Sequence, residues 1–152
     1  MRRQVHPEGI DCVWLASDRE GYLGAFITAG VGPIPAEILV SDNIAVGDIE
    51  GRLCQLPIVS QVQLLVSVKR PDDFVSLASR GLFVYDWTDT NRKEVDALSV
   101  YEPVAVPDKP ITTTSLPSDL EAMAKLLRLV NVVFSSRDAV DISANLVCAG
   151  IT

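Results

Sequence analysis

Two apolar runs near the start of the chain define its first element. Residues 12 to 17 (Cys-Val-Trp-Leu-Ala-Ser) and 22 to 29 (Tyr-Leu-Gly-Ala-Phe-Ile-Thr-Ala) flank the polar stretch Asp18-Arg19-Glu20-Gly21. The pattern predicts a β-hairpin, with Gly21 taking the positive φ that closes a longer loop. Gly30-Val31-Gly32-Pro33-Ile34-Pro35 cannot continue a central strand, because both prolines lack an amide donor, so the chain leaves the sheet there. A short helix near Ala36 to Leu39 follows.

Between Ser41 and Leu56 the spacing of Ile44, Ile49, Leu53 and Leu56 is helical, with Asp42 or Asp48 as a cap, Gly47 and Gly51 weakening it and Pro57 ending it. Gln61 to Val68 then alternates, placing Val62, Leu64, Val66 and Val68 on one face, the period of a half-buried strand. Pro71-Asp72-Asp73 starts a short helix with two carboxylates at its positive end, Phe74, Leu77 and Ala78 facing the core and Gly81 as its stop. Residues 82 to 87 read as a strand, 88 to 96 as a polar turn, and 97 to 106 as a strand in which Pro103 demands an edge or a bulge.

Ser118-Asp119-Leu120-Glu121 matches a capping box, and Leu120, Met123, Ala124 and Leu127 recur at helical spacing behind it, with Glu121 and Lys125 as an i,i+4 ion pair. Val130 to Phe134 reads as a last strand and Ser136 to Cys148 as a second helix. Pro107-Asp108-Lys109-Pro110 is the one hinge-like stretch, and there is no internal repeat. Strands and helices that do not strictly alternate imply a single α+β domain over residues 1 to 152, its sheet mostly antiparallel and its helices packed on one face.

Composition sharpens this. The 152 residues are 48% hydrophobic and 22% charged, enough apolar matter for one packed core. No stretch approaches the ~18 uninterrupted apolar residues of a membrane span, and Met1 to Glu8 lacks the apolar run of a secretion signal, so the expected location is the cytoplasm. The formal charge of −7 repels phosphate backbones and argues against a nucleic-acid ligand. Most of the excess lies in residues 71 to 108, where eight acids face only Arg80, Arg92 and Lys93. Cys12, Cys54 and Cys148 form no C-x-x-C pair and have apolar neighbours, as reduced core thiols do.

Catalytic signatures are missing from the sequence. His6 is its only histidine, and there is no G-x-S-x-G, H-E-x-x-H or P-loop pattern. Gly30-Val31-Gly32-Pro33 is not a dinucleotide fingerprint, and without a Cys/His cluster structural zinc is not expected, which leaves carboxylate oxygens such as those of Asp86 and Asp89 as the one metal route; no cofactor is expected. What stands out is acid beside aromatic surface. Asp72, Asp73, Tyr85, Asp86, Trp87, Asp89, Glu94, Asp96 and Glu102 form the expected partner-binding set, with Tyr85 and Trp87 as desolvated anchors and the carboxylates pairing with Arg or Lys of a basic protein. Two further readings are open: a small carboxylate-dependent enzyme using Asp86 and Asp89 on a metabolite, and a homo-oligomer that buries a β edge and aromatic patch against itself.

Two stretches also carry a resemblance: Val13-Trp14-Leu15-Ala16-Ser17-Asp18 through Gly21, Phe26, Thr28-Ala29-Gly30 and Gly32-Pro33-Ile34-Pro35, and Phe74 through Arg80-Gly81-Leu82-Phe83-Val84-Tyr85-Asp86-Trp87. Together they resemble small bacterial proteins that look like the immunity proteins of toxin systems. That resemblance implies a single α+β domain that binds and blocks a cognate toxin. It carries over no site residue.

Overall fold

The computed structural model describes residues 11–30, 32–39, 44–69, 71–87 and 100–142. Its architecture is α+β, as the pattern implied. Six strands make one mixed sheet: β1 (Val13–Asp18), β2 (Leu23–Ile27), β3 (Val62–Leu64), β4 (Phe83–Trp87), β5 (Tyr101–Pro107) and β6 (Arg128–Leu129), in the spatial order β3-β5-β4-β2-β1-β6. The pairs β1/β2, β4/β5 and β3/β5 are antiparallel, whereas β2/β4 and β1/β6 are parallel. Among the described residues four short helices accompany the sheet, α1 (Ala36–Leu39), α2 (Ile49–Leu53), α3 (Asp72–Ala78) and α4 (Ser118–Leu126). Helices α2 and α4 contact β1, and α3 contacts β4 and β5.

The hairpin forms where expected, and Gly21 has φ +87. Its loop is held by Asp18, a fully buried residue whose carboxylate accepts the amides of Glu20 and Tyr22, each at 2.9 Å. Alternation along β1 divides the two faces of the sheet. Ser17 donates its hydroxyl to the Ala124 carbonyl of α4 at 2.9 Å, so Val13, Leu15 and Ser17 share the side that meets the helices. The opposite side is aromatic: Trp14 stacks on Phe26 at 4.3 Å, Phe26 on Tyr85 at 4.9 Å, and Phe134 covers Tyr85 at 5.4 Å. Gly24 sits beneath the Phe134 ring, where a Cβ would come within 2.7 Å of it, so the close approach requires glycine.

Several local expectations are corrected. Val130 to Phe134 is not a strand: pairing ends at Leu129, and Phe134 opens a 3-10 turn, Phe134–Ser136. The physical reason is Asp18, which draws the Phe134 amide onto its second carboxylate oxygen and bends the chain back over the sheet. Residues 137 to 141 are not helical either, because Arg137 is left-handed at φ +64 and the Val140 backbone bridges to Tyr101; Ile142 is helical, and residues 143 to 148 of the expected helix lie outside the described residues. The capping box is not made. Pro117 occupies the cap position, no side chain caps α4, and Asp119 is instead taken by Arg52 of α2 through two bonds of 2.9 and 2.7 Å.

The face expected to be buried on residues 61 to 68 is also revised. The strand is only three residues long, Val62 and Val66 are half-buried, and Leu64 and Val68 are exposed, because β3 is the last strand of the sheet and few atoms cover it. Pro103 resolves into the bulge alternative: the β4/β5 register shifts between Val84 and Tyr85, opposite Pro103. Residues 107 to 110 are pinned rather than hinged, the Asp108 amide bonding to Gln61 and the Lys109 amide to the Ser60 hydroxyl. Among the described residues no helix is long and apolar enough to cross a membrane.

Candidate partner-binding surface

The sheet contains a gap. On its outer side β5 is bonded to Val140 at Tyr101, by two bonds of 3.0 and 2.8 Å, and to the segment after β3 at Val104, whose carbonyl takes the Leu65 amide at 2.9 Å. Between these points, at Glu102 and Pro103, β5 has no partner on that side among the described residues, and Pro103 has no amide that would need one. The opening is a groove of about 510 Å³ with Leu65, Val66, Val68 and Phe74 as its apolar wall and Asp86, Glu102 and Arg137 as its charged groups.

Asp86 and Glu102 stand directly opposite each other across β4 and β5. Glu102 is exposed and Asp86 half-buried. Burial above all, with the neighbouring Asp11 adding to it and a hydrogen bond from the Trp87 backbone opposing both, pushes the Asp86 carboxyl up to about 6. Asp11 lies just ahead of β1 and uses one oxygen to accept the Ala29 amide at 2.9 Å, which fixes it beside the left-handed Ala29-Gly30 turn at φ +53 and +86. Burial also raises Glu50 of α2, and Asp73 and Asp11 add to that rise. Asp11 thus acts on both Asp86 and Glu50, Asp73 acts on Glu50, and Glu102 stands opposite Asp86 in the sheet.

Among the described residues the ion pairs are Arg52–Asp119 at 2.7 Å and Lys125–Glu121 at 3.4 Å, and neither takes one of these five carboxylates. Arg137 reaches the groove but gives its NH2 to the Gln63 side chain at 3.0 Å. Like charges placed together without a counterion cost stability, by about 1 kcal/mol for each close pair at a wet surface.

The expected site residues separate accordingly. Asp73, Asp86 and Glu102 belong to the acidic group, and Asp72 is exposed beside Asp73 at the start of α3. Asp89, Glu94 and Asp96 lie outside the described residues. Tyr85 and Trp87 are corrected: both are buried, Tyr85 between Phe26 and Phe134 and Trp87 against Tyr101 at 5.1 Å, so neither is an exposed anchor. Their position in β4 points them into the aromatic layer while Asp86, between them, points to the other face. Sequence reasoning missed Asp11 and Glu50. Only the parallel pairing of β2 with β4, which sets Ile27 beside Asp86, brings the start of β1 to the acidic group.

No family model matches the chain, and neither a curated protein nor a solved structure matches it.

Proposed function

We propose that this protein is a non-enzymatic binding module of the cytoplasm that takes a basic protein on the surface formed by Asp11, Glu50, Asp73, Asp86 and Glu102, its concrete form being an immunity protein that blocks a basic toxin. The observation that carries the reading is the half-buried Asp86, whose pKa is raised to about 6 among other carboxylates and which no ion pair of the described residues takes. A folded chain keeps such a group at a cost in stability, and an arriving Arg or Lys converts the repulsion into attraction. The apolar wall of the groove supplies the contact area that charge alone lacks.

The test is affinity capture from host lysate at low and physiological salt, run in parallel with the charge-neutral variant D11N/D73N/E102Q. Recovery of one basic protein by the native chain, weakened by salt and lost in the variant, supports the reading. Equal recovery by both forms contradicts it.

One observation favours a second reading. Two facing carboxylates in different environments, Asp86 raised and Glu102 exposed, are the arrangement that general acid/base catalysis uses. A carboxylate-dependent enzyme would bind a small metabolite in the groove, and a thermal-shift screen of metabolites in which D86N abolishes the response would favour it over the protein-binding reading.

A further inference from the structure

The groove beside β5 holds charges of both signs. Asp86 and Glu102 line it from β4 and β5, and Arg137 lines it from the segment that bridges to Tyr101. Among the described residues no ion pair joins the guanidinium to either carboxylate, although all three border one cavity of about 510 Å³. The opposite charges therefore stand on separate walls.

Each wall is held in place. Asp86 lies inside β4, which is paired on one side with β2 and on the other with β5. Arg137 donates its amide to the Phe134 carbonyl at 3.1 Å, and one arm of its guanidinium is taken by the Gln63 side chain at 3.0 Å, which leaves its other N–H groups for an acceptor. Leu65, Val66 and Phe74, all half-buried, supply an apolar wall.

Charge selects the ligand. A simple cation meets the carboxylates but finds Arg137 as a like charge, and a simple anion finds the reverse. A molecule with an ammonium and a carboxylate on an apolar body suits all three walls at once, and the cavity falls within the ~300–1,000 Å³ of small-molecule sites. We infer that the groove is a binding site for an apolar α-amino acid, its ammonium donating to Asp86 and Glu102, its carboxylate accepting from Arg137 and its side chain lying on Leu65, Val66 and Phe74. This inference rests on the groove alone and does not require that a basic protein is captured.

Heteronuclear NMR titration with L-phenylalanine and L-leucine tests it, beside phenethylamine and 3-phenylpropionate, which each keep one of the two charges. The expected result is that both amino acids shift the amides of Phe74, Glu102 and Arg137, while each single-charge analogue binds about tenfold more weakly. R137Q should lose the preference for phenylalanine over phenethylamine. Phenethylamine that binds the native chain as well as phenylalanine does would show the carboxylates acting without Arg137, which overturns this inference and leaves the basic-protein reading standing. Amino acids that give no shifts at millimolar concentration, shifts centred away from the groove, or an R137Q chain that keeps the full preference would overturn it as well.

Discussion

The Asp18 carboxylate accepts the Phe134 amide at 2.8 Å across 116 positions of sequence, and that bond decides how the last part of the chain lies on the sheet. The same carboxylate holds Glu20 and Tyr22, so one buried side chain satisfies three backbone donors from two distant segments. Substituting D18A strands all three amides. Bonds to a charged acceptor are worth ~1.5–3 kcal/mol each, and partial rescue by water leaves an expected loss of about 3–5 kcal/mol in urea unfolding. D18N, which keeps one acceptor oxygen, should lose roughly half as much. A loss under ~1 kcal/mol for D18A would show that the bond to Phe134 does not organise the fold.

Two buried tyrosines give opposite expectations. The Tyr101 hydroxyl receives the Trp14 indole N–H at 3.2 Å and donates to the Pro33 carbonyl at 2.9 Å, whereas the Tyr85 hydroxyl is buried with no hydrogen-bond partner among the described residues. Y101F therefore removes two bonds and is expected to cost about 1–2 kcal/mol. Y85F removes an unpaired polar atom and leaves stability unchanged or raises it by up to ~1 kcal/mol. Thermal unfolding of both variants checks the contrast, and a Y85F loss equal to that of Y101F would contradict it.

Asp86 makes stability depend on pH. Its folded pKa of about 6 stands above that of an unfolded aspartate, so the folded state binds the proton more tightly. Stability is then greatest below pH ~4, falls as pH rises toward ~6, and carries the full penalty above that, on the order of 1–2 kcal/mol after solvent screening. D86N cannot ionise. It is expected to be more stable than the native chain at pH 7.5 and equal to it at pH 4, measured by urea unfolding at both values. Parallel pH profiles for the two proteins would show that Asp86 carries no such strain.

The same substitution links stability to recognition. If the carboxylate is kept for a cationic partner, D86N should gain stability while losing affinity for the captured basic protein by about tenfold, the value of one charge-assisted contact. Titration calorimetry measures the affinity. Stability and affinity lost together would instead mark Asp86 as a structural residue.

Local features were legible in the sequence. The hairpin, the proline-led α3 and strand β4 all arise from patterns within a few residues of one another, and each formed near its expected position. Contacts between distant segments were not. The run Val130 to Phe134 has the branched residues of a strand, but the Asp18 acceptor that turns it lies at the other end of the chain. The acidic excess of residues 71 to 108 pointed to Asp73, Asp86 and Glu102, yet Asp11 and Glu50 come from other segments and join them only through tertiary packing. Composition also could not tell which face of β4 would be covered. Tyr85 and Trp87 are therefore open in the sequence to either core packing or an interface, and they build the aromatic core.

Binding of a basic protein by the acidic surface is tested by a heteronuclear NMR titration of the chain with a short arginine-rich peptide at low salt. Amide shifts are expected to be confined to the surroundings of Asp11, Glu50, Asp73, Asp86 and Glu102, reversed by added salt and absent in D11N/D73N/E102Q. Shifts spread evenly over the surface, or centred away from these residues, would contradict it.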